Sequence, residues 1–227
     1  MNELFLGILS FLTSTVAGVV GIGGGMMLIA ILPSFLPLNA LIPVHGLTQM
    51  SSNLSRAVFG YKDVQFEVIP KFLLGSAIGI GIFAGILNFI SLEYVPLFIG
   101  AYILLSLWSE KFNEKIKRYE SYFLAGFFQT GLSIVVGATG PLTMTLLLKD
   151  YKNKDEVVAT SAALMSLSHI LKVFVFMYFG FVFFDYIGVI VAMIIGAVAG
   201  SWVGTKLRDK IDGKKFIIIL KVLLTAL

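Results

Sequence analysis

The chain has 227 residues, of which 58% are hydrophobic and 13% charged, and its mean hydropathy is +0.95. Because a soluble domain carries about 25% charged residues, this composition excludes a soluble globule and predicts an all-α polytopic membrane protein. The net charge of +4 would suggest a nucleic-acid partner in a soluble chain, but we attribute it to basic loops and expect no nucleic acid. The chain has no cysteine, which excludes disulfides and thiolate chemistry.

The first apolar segment, residues 4–20, runs into a glycine-rich break at residues 21–25. The N-terminus has neither a basic region nor a small-residue cleavage site, so we interpret this segment as a membrane helix and not as a signal peptide. The apolar run 26–36 that follows is about half as long as a bilayer crossing requires. A nucleotide-binding loop is disfavoured, because no strand pattern precedes the glycines and no acidic residue follows at the spacing of a ribose contact.

Three apolar segments and a charged loop complete the first half of the chain. Segments 40–60, 68–90 and 94–109 each predict a bilayer crossing, and the first of them carries an unusual number of polar residues. The loop 110–120 is the only sizeable polar linker in the sequence. We therefore expect repeat one at about 1–109 and repeat two at about 121–227, within a single membrane transport domain of residues 1–227.

The second half repeats the plan of the first. A helix at 122–136 reaches a second break at 137–141, which begins 116 positions after the first break, and a second short helix follows at 142–148. Two further crossings are predicted at 157–183 and 187–205. The last apolar run, 216–227, is short for a full crossing.

The distribution of basic residues predicts the topology. If each broken segment is a re-entrant hairpin, each half has three full crossings and the two repeats are inverted relative to each other. Fourteen of the 17 Lys and Arg residues then fall on one side. By the positive-inside rule that side is cytoplasmic and both termini are outside. A single crossing at each break would instead place the basic loops 149–154 and 206–215 outside, so the hairpins are favoured.

Two basic residues, Arg56 and Lys172, lie inside apolar helices and are also 116 positions apart. A charge at bilayer depth costs about 2.5 kcal/mol or more, so such residues usually face an interior or a water-filled cavity. The alternative is that they reach the membrane surface. The two histidines, His45 and His169, either bind substrate or bond to a neighbouring helix. All 13 acidic residues lie in loops or at helix ends, so we expect no metal, no cofactor and no enzyme activity.

The two glycine-rich breaks add further groups that can bind an anion, besides Arg56 and Lys172. A short helix that starts within the membrane has free N–H groups and the positive end of its dipole, and glycines let an anion approach that backbone. The alternative role of the glycines is close helix packing. The predicted substrate-binding residues are Gly23, Gly24, Gly25, His45, Gln49, Ser52, Asn53, Arg56, Thr139, Gly140, Thr143, Ser168, His169 and Lys172.

The two glycine motifs resemble those of the TauE/SafE sulfite exporter family, also called the 4-toluene sulfonate uptake permeases. The matching pieces are residues 21–25, with the sequence GIGGG, and residues 136–142, with the sequence VGATGPL. The segments 158–162 and 169–172 resemble one branch of the family. The chain departs from the family at residues 45–49, where an Ala-x-Gly-Thr-Ser pattern is common. The resemblance implies transport of sulfite, sulfonates or thiosulfate across a bacterial or archaeal cytoplasmic membrane.

We therefore expect a secondary transporter that moves a small, sulfur-containing oxyanion by alternating access. Its partners would be the anionic substrate and the lipid bilayer, and His169 is the best candidate for any proton linkage. The alternatives are a passive anion channel with the same site and a non-transporting membrane scaffold. The sequence leaves open which anion is moved, the direction, the coupling ion and the oligomeric state.

Overall fold

A computed structural model describes residues 2–87, 89, 91–111, 114, 121–210, 222 and 225. Most of the predicted linker 110–120 and of the run 216–227 therefore lies outside the described residues. The same holds for five basic residues used in the topology argument: Lys115, Lys117, Arg118, Lys214 and Lys215. The described part of the chain is helical and contains no strand, which confirms the all-α class.

The described residues form nine α-helices. They are α1 (Asn2–Val20), α2 (Gly24–Ile31), α3 (Leu38–Phe59), α4 (Ile69–Leu87), α5 (Val95–Trp108), α6 (Tyr122–Val136), α7 (Pro141–Asp150), α8 (Lys154–Tyr178) and α9 (Ile187–Leu207). Short 3-10 turns follow α2 and precede α4, α5 and α9. The predicted segments are thus present, with ends that shift by a few residues.

Four helical segments are long and apolar enough to cross a membrane: Glu3–Val20, Phe66–Ile86, Lys154–Tyr178 and Phe183–Leu207. Helices α2, α5 and α6 are apolar but shorter. Helix α3 is about 33 Å long at 1.5 Å per residue, but it carries the polar face predicted from the sequence. The chain is a multi-pass membrane protein.

The first break reverses the chain direction. It comprises residues 21–23, so it is shorter than predicted, and α2 already begins at Gly24. Gly23 has φ 94°, a left-handed conformation that glycine adopts without steric cost. The ring centroids of Phe5 and Phe35 lie 5.1 Å apart, so the chain returns to the end at which α1 began. Helices α1 and α2 therefore form a hairpin.

The second break produces a similar hairpin from α6 and α7. Gly137 has φ 77° at the turn. The hydroxyl of Tyr122, at the start of α6, donates a hydrogen bond of 2.7 Å to Asp150 at the end of α7. The two arms therefore close on each other at their outer ends, as Phe5 and Phe35 do in the first hairpin.

The two hairpins enter from opposite ends of the helix bundle. Helix α3 starts after the first hairpin, and Gly60 at its far end contacts Ala159 near the start of α8. Helix α8 starts directly after the second hairpin, and Phe176 near its other end shares a cavity with Asn39 at the start of α3. Helices α3 and α8 are thus antiparallel and connect the two hairpin entrances.

Each hairpin tip packs against the short arm of the other hairpin. A Cβ atom on Gly21 would lie 2.9 Å from Val158 and 3.0 Å from Met144 of α7. A Cβ atom on Gly137 would lie 2.8 Å from Ile29 of α2. The tips therefore meet and overlap in the interior of the bundle, where the sequence predicts the site.

Close helix contacts join each long hairpin arm to one crossing helix. Helix α1 packs along α9, and α6 packs along α4. A Cβ atom on Gly200 would lie 2.1 Å from the carbonyl oxygen of Phe11, and one on Gly79 would lie 2.1 Å from that of Phe127. Phe11 and Phe127 are 116 positions apart and Gly79 and Gly200 are 121 positions apart, so a similar contact recurs, with only its phenylalanine member at the spacing of the two breaks. No larger residue fits at either glycine.

Candidate functional site

A small cavity lies between the two hairpin tips and the polar faces of α3 and α8. It offers about 30 Å³ to the centres of water-sized molecules, which is room for a few waters at most. The lining residues are Ala17, Gly21, Ile22, Gly23, Gly24, Gly25, Met26, His45, Gln49, Asn53, Arg56, Ala138, Gly140, Ser161, Met165 and His169.

The N-terminus of α2 opens onto this cavity. The first backbone hydrogen bond of the helix runs from the N–H group of Met27 to the carbonyl of Gly23, at 2.9 Å. The N–H groups of Gly24, Gly25 and Met26 precede it and have no intrahelical acceptor. All three residues line the cavity. The positive end of the helix dipole therefore points at this space.

The neighbouring glycines Gly24 and Gly25 have different roles. A Cβ atom on Gly24 would lie 2.0 Å from the carbonyl oxygen of Thr13, so Gly24 is required for the packing of α2 against α1. A Cβ atom on Gly25 would instead lie 3.0 Å from Oε1 of Gln49 and 3.7 Å from Nε2 of His45. Both roles considered from the sequence, packing and open backbone, are therefore present, each at a different glycine.

Arg56 is buried beside the cavity without an acidic partner. One of its terminal nitrogens donates to the hydroxyl of Ser52 at 3.0 Å, and the other donates to Oδ1 of Asn53. Its Nε atom has no hydrogen-bond partner in the described part of the chain. The amide nitrogen of Asn53 donates to the carbonyl of Gln49, while Nε2 of Gln49 is buried without a partner.

The two histidines face each other across the cavity. Their ring centroids lie 6.0 Å apart at an interplanar angle of 78°. Nε2 of His45 donates to the carbonyl of Gly25 at 2.9 Å, since a carbonyl oxygen can only accept, and Nδ1 has no partner among the described residues. Both ring nitrogens of His169 are buried and likewise lack described partners. His169 is thus the polar side chain with the most unused hydrogen-bonding capacity at the site.

The N-terminus of α7 differs from that of α2, because the protein itself occupies it. Pro141 at the first helical position has no N–H group, and the N–H group of Leu142 bonds to Thr139. The N–H group and the hydroxyl of Thr143 both donate to Oε1 of Gln129, at 3.0 and 2.8 Å. The two helix starts, which the sequence predicts to contribute equally, are therefore not equivalent.

Lys172 stabilises the second tip directly. Its Nζ atom is fully buried and donates to the carbonyl of Gly137 at 2.8 Å, at the C-terminal end of α6. Its side chain does not line the cavity. No ion pair joins Lys172 or Arg56 to a carboxylate within the described ranges, so the centre of the bundle carries two buried positive groups.

The sequence profile of the sulfite exporter TauE/SafE family matches residues 6–227, nearly the whole chain. The chain belongs to the sulfite exporter TauE/SafE family. This family is one of membrane transporters of the sulfite and sulfonate exporter type, which confirms the resemblance found in the two glycine motifs. No curated protein and no solved structure matches the chain significantly.

The predicted site residues of this TauE/SafE protein fall into two groups. Nine line the cavity: Gly23, Gly24, Gly25, His45, Gln49, Asn53, Arg56, Gly140 and His169. Five lie behind the lining, in contacts that support it: Ser52, Thr139, Thr143, Ser168 and Lys172.

The supporting contacts repeat at the same spacing as the breaks. Ser52 donates to Ser14 at 2.9 Å, and Ser168 shares a hydrogen bond of 2.8 Å with Thr130. Both members of the second pair lie 116 positions after those of the first.

Sequence reasoning missed one residue that shapes the site. Gln129 is fully buried and holds the second tip. It could have been found as a strongly polar residue within the apolar run 122–136, because a buried amide in lipid needs partners.

Proposed function

We propose that this protein is a secondary transporter that binds a small, sulfur-containing oxyanion in the cavity at the N-terminus of α2. The observation that carries this proposal is the unused hydrogen-bonding capacity of the lining. Buried nitrogens of Gln49, Arg56 and His169 have no described partner, and the first N–H groups of α2 are free. Among the described residues that line the cavity there is no Asp or Glu.

An oxyanion satisfies these groups better than water or a cation does. A buried polar group without a partner costs about 1–3 kcal/mol, and a hydrogen bond to a charged group contributes about 1.5–3 kcal/mol. An anion with three oxygens can accept bonds from the α2 backbone and from Arg56 at the same time. It also balances the two buried positive groups, whereas a cation would be repelled by them.

Alternating access fits the arrangement of the hairpins. They enter from opposite ends, their tips overlap, and the contact between Ser14 and Ser52 recurs 116 residues later between Thr130 and Ser168, as expected for inverted repeats. Arg208 bonds to the carbonyl of Gly18 and pairs with Asp155 at 2.6 Å. We expect this contact to break when the cavity opens towards the basic end, which we place in the cytoplasm.

The test is binding of an anion panel to the purified protein, followed by thermal unfolding. Sulfite, thiosulfate and methanesulfonate should raise the melting temperature, because binding at 100 times the Kd contributes about 2.7 kcal/mol to folded-state stability. The matched control is Gln49→Glu, which keeps the side-chain shape but adds a negative charge to the lining. Equal stabilisation of the control and the wild type, or no stabilisation by any anion, would reject the site.

Transport itself is tested in proteoliposomes. A secondary transporter should accumulate the anion against its gradient when a proton or sodium gradient is imposed. A passive channel should only equilibrate the anion under every such condition.

A further inference from the structure

The N-terminus of α7 holds an oxygen atom that belongs to the protein. Oε1 of Gln129 accepts hydrogen bonds from the N–H group and from the hydroxyl of Thr143. Both side chains are fully buried. The orientation of the amide follows from chemistry, because a backbone N–H group can only donate and must therefore face the oxygen. The amide nitrogen points to the sulfur of Met165 at 3.1 Å.

The matching position of the first hairpin is Thr13, which lies 116 positions before Gln129. The hydroxyl of Thr13 bonds to the carbonyl of Ser10 in its own helix, at 3.2 Å. Its side chain is shorter than that of glutamine and makes no described contact with the start of α2. No described residue accepts a hydrogen bond from the N–H groups of Gly24 and Gly25 at the start of α2, whereas the donors of Thr143 at the start of α7 have Gln129 as their acceptor.

We propose that Gln129 is a permanent internal substitute for a second anion, so that each chain binds one oxyanion and not two. An amide oxygen accepts from the donors at the start of α7, whereas we leave the donors at the start of α2 to the substrate. Because the amide carries no net charge, it satisfies the α7 donors without cancelling the attraction of Arg56 and Lys172 for the single substrate. A glutamate at this position would satisfy the same donors and would cancel part of that attraction.

This inference rests on the proposed function for the α2 site alone, and the number of bound anions tests it. Sulfite titration of the detergent-purified wild type by calorimetry should give one site per chain. In Gln129→Ala, the truncation removes four non-hydrogen atoms, the same number as in sulfite, and exposes the Thr143 donors. This variant should bind a second sulfite. Gln129→Met fills the space without an acceptor, so it serves as the matched control and should keep one site.

A second variant covers the case in which Gln129→Ala does not fold. Gln129→Glu should keep one site and bind sulfite at least tenfold more weakly than the wild type. Three results would each overturn the inference: two sites in the wild type, one site in folded Gln129→Ala, or wild-type affinity in Gln129→Glu. Each of these results leaves the α2 site standing. Absence of any sulfite binding to the wild type would instead reject the proposed function.

Discussion

Substituting Gly25 by alanine is expected to weaken anion binding without unfolding the protein. The added Cβ atom would lie 3.0 Å from Oε1 and 3.3 Å from Cδ of Gln49, so the amide must move by a few tenths of an ångström. It can do so, because its Nε2 atom has no described partner and the side chain borders the cavity. Alanine also favours a helix over glycine by about 1 kcal/mol, which offsets this cost. The melting temperature should therefore change little.

The effect on binding should be much larger than the effect on stability. The methyl group enters a cavity in which the centre of a water molecule has only about 30 Å³ to occupy. It stands there beside the first N–H groups of α2. Loss of one hydrogen bond to the anion costs about 1.5–3 kcal/mol, which corresponds to about a 10- to 150-fold increase in the Kd for sulfite. Calorimetry in detergent gives the Kd, and a thermal scan of the same sample gives the melting temperature.

Two neighbouring glycine variants provide the controls. Gly24→Ala places the Cβ atom 2.0 Å from a backbone oxygen of α1, so this variant should lose stability first. Gly140→Ala meets only Cε of Met165, at 3.8 Å, so it should keep both its stability and its affinity within a few-fold. If Gly25→Ala binds sulfite as the wild type does at an unchanged melting temperature, the α2 N-terminus is not the anion site.

Three further predictions concern Lys172, His169 and the topology. Lys172→Met should lower both the melting temperature and the sulfite affinity, because it leaves the carbonyl of Gly137 unpaired and removes a buried charge; a loss of affinity alone would contradict the role in the second tip. His169→Gln should abolish the response of transport to an imposed pH gradient, and a wild-type response would exclude proton coupling through this residue. A single cysteine that replaces Asp185 should be labelled by a membrane-impermeant reagent added to intact cells. A single cysteine that replaces Asn153 should not be labelled under the same conditions. External labelling of Asn153 would reject the inverted topology.

The sequence predicts the elements of the site well because its signals there are local. Consecutive glycines in an apolar segment indicate a break wherever they occur, and the polar residues from His45 to Arg56 recur at helical spacing. The neighbour against which each glycine packs cannot be inferred from the adjacent sequence. Gly24 and Gly25 differ by one residue, about 100° around the helix, and only the position of α1 decides which of them packs against a neighbouring backbone.

The difference between the two tips could not be predicted from the spacing of 116 residues. That spacing pairs Arg56 with Lys172 and suggests equal roles, yet Arg56 bonds to its own helix while Lys172 bonds to the turn at Gly137. The closure of α7 depends on a contact between Gln129 and Thr143 across the second hairpin. Such a contact follows from three-dimensional packing and leaves no periodic pattern in the sequence.

The glycine contacts between the long hairpin arms and their partner helices also bear on how the protein is assembled. Helix α1, from the first half, is locked to α9 from the second, and α6 from the second half is locked to α4 from the first. The long hairpin arm of each half therefore has its packing partner in the other half. If the chain were cut within the charged segment 110–120, each fragment should stay incompletely folded until it met the other, and co-expression should restore a functional pair. The unit that folds is thus the intertwined whole, although the unit that repeats in the sequence is half of it.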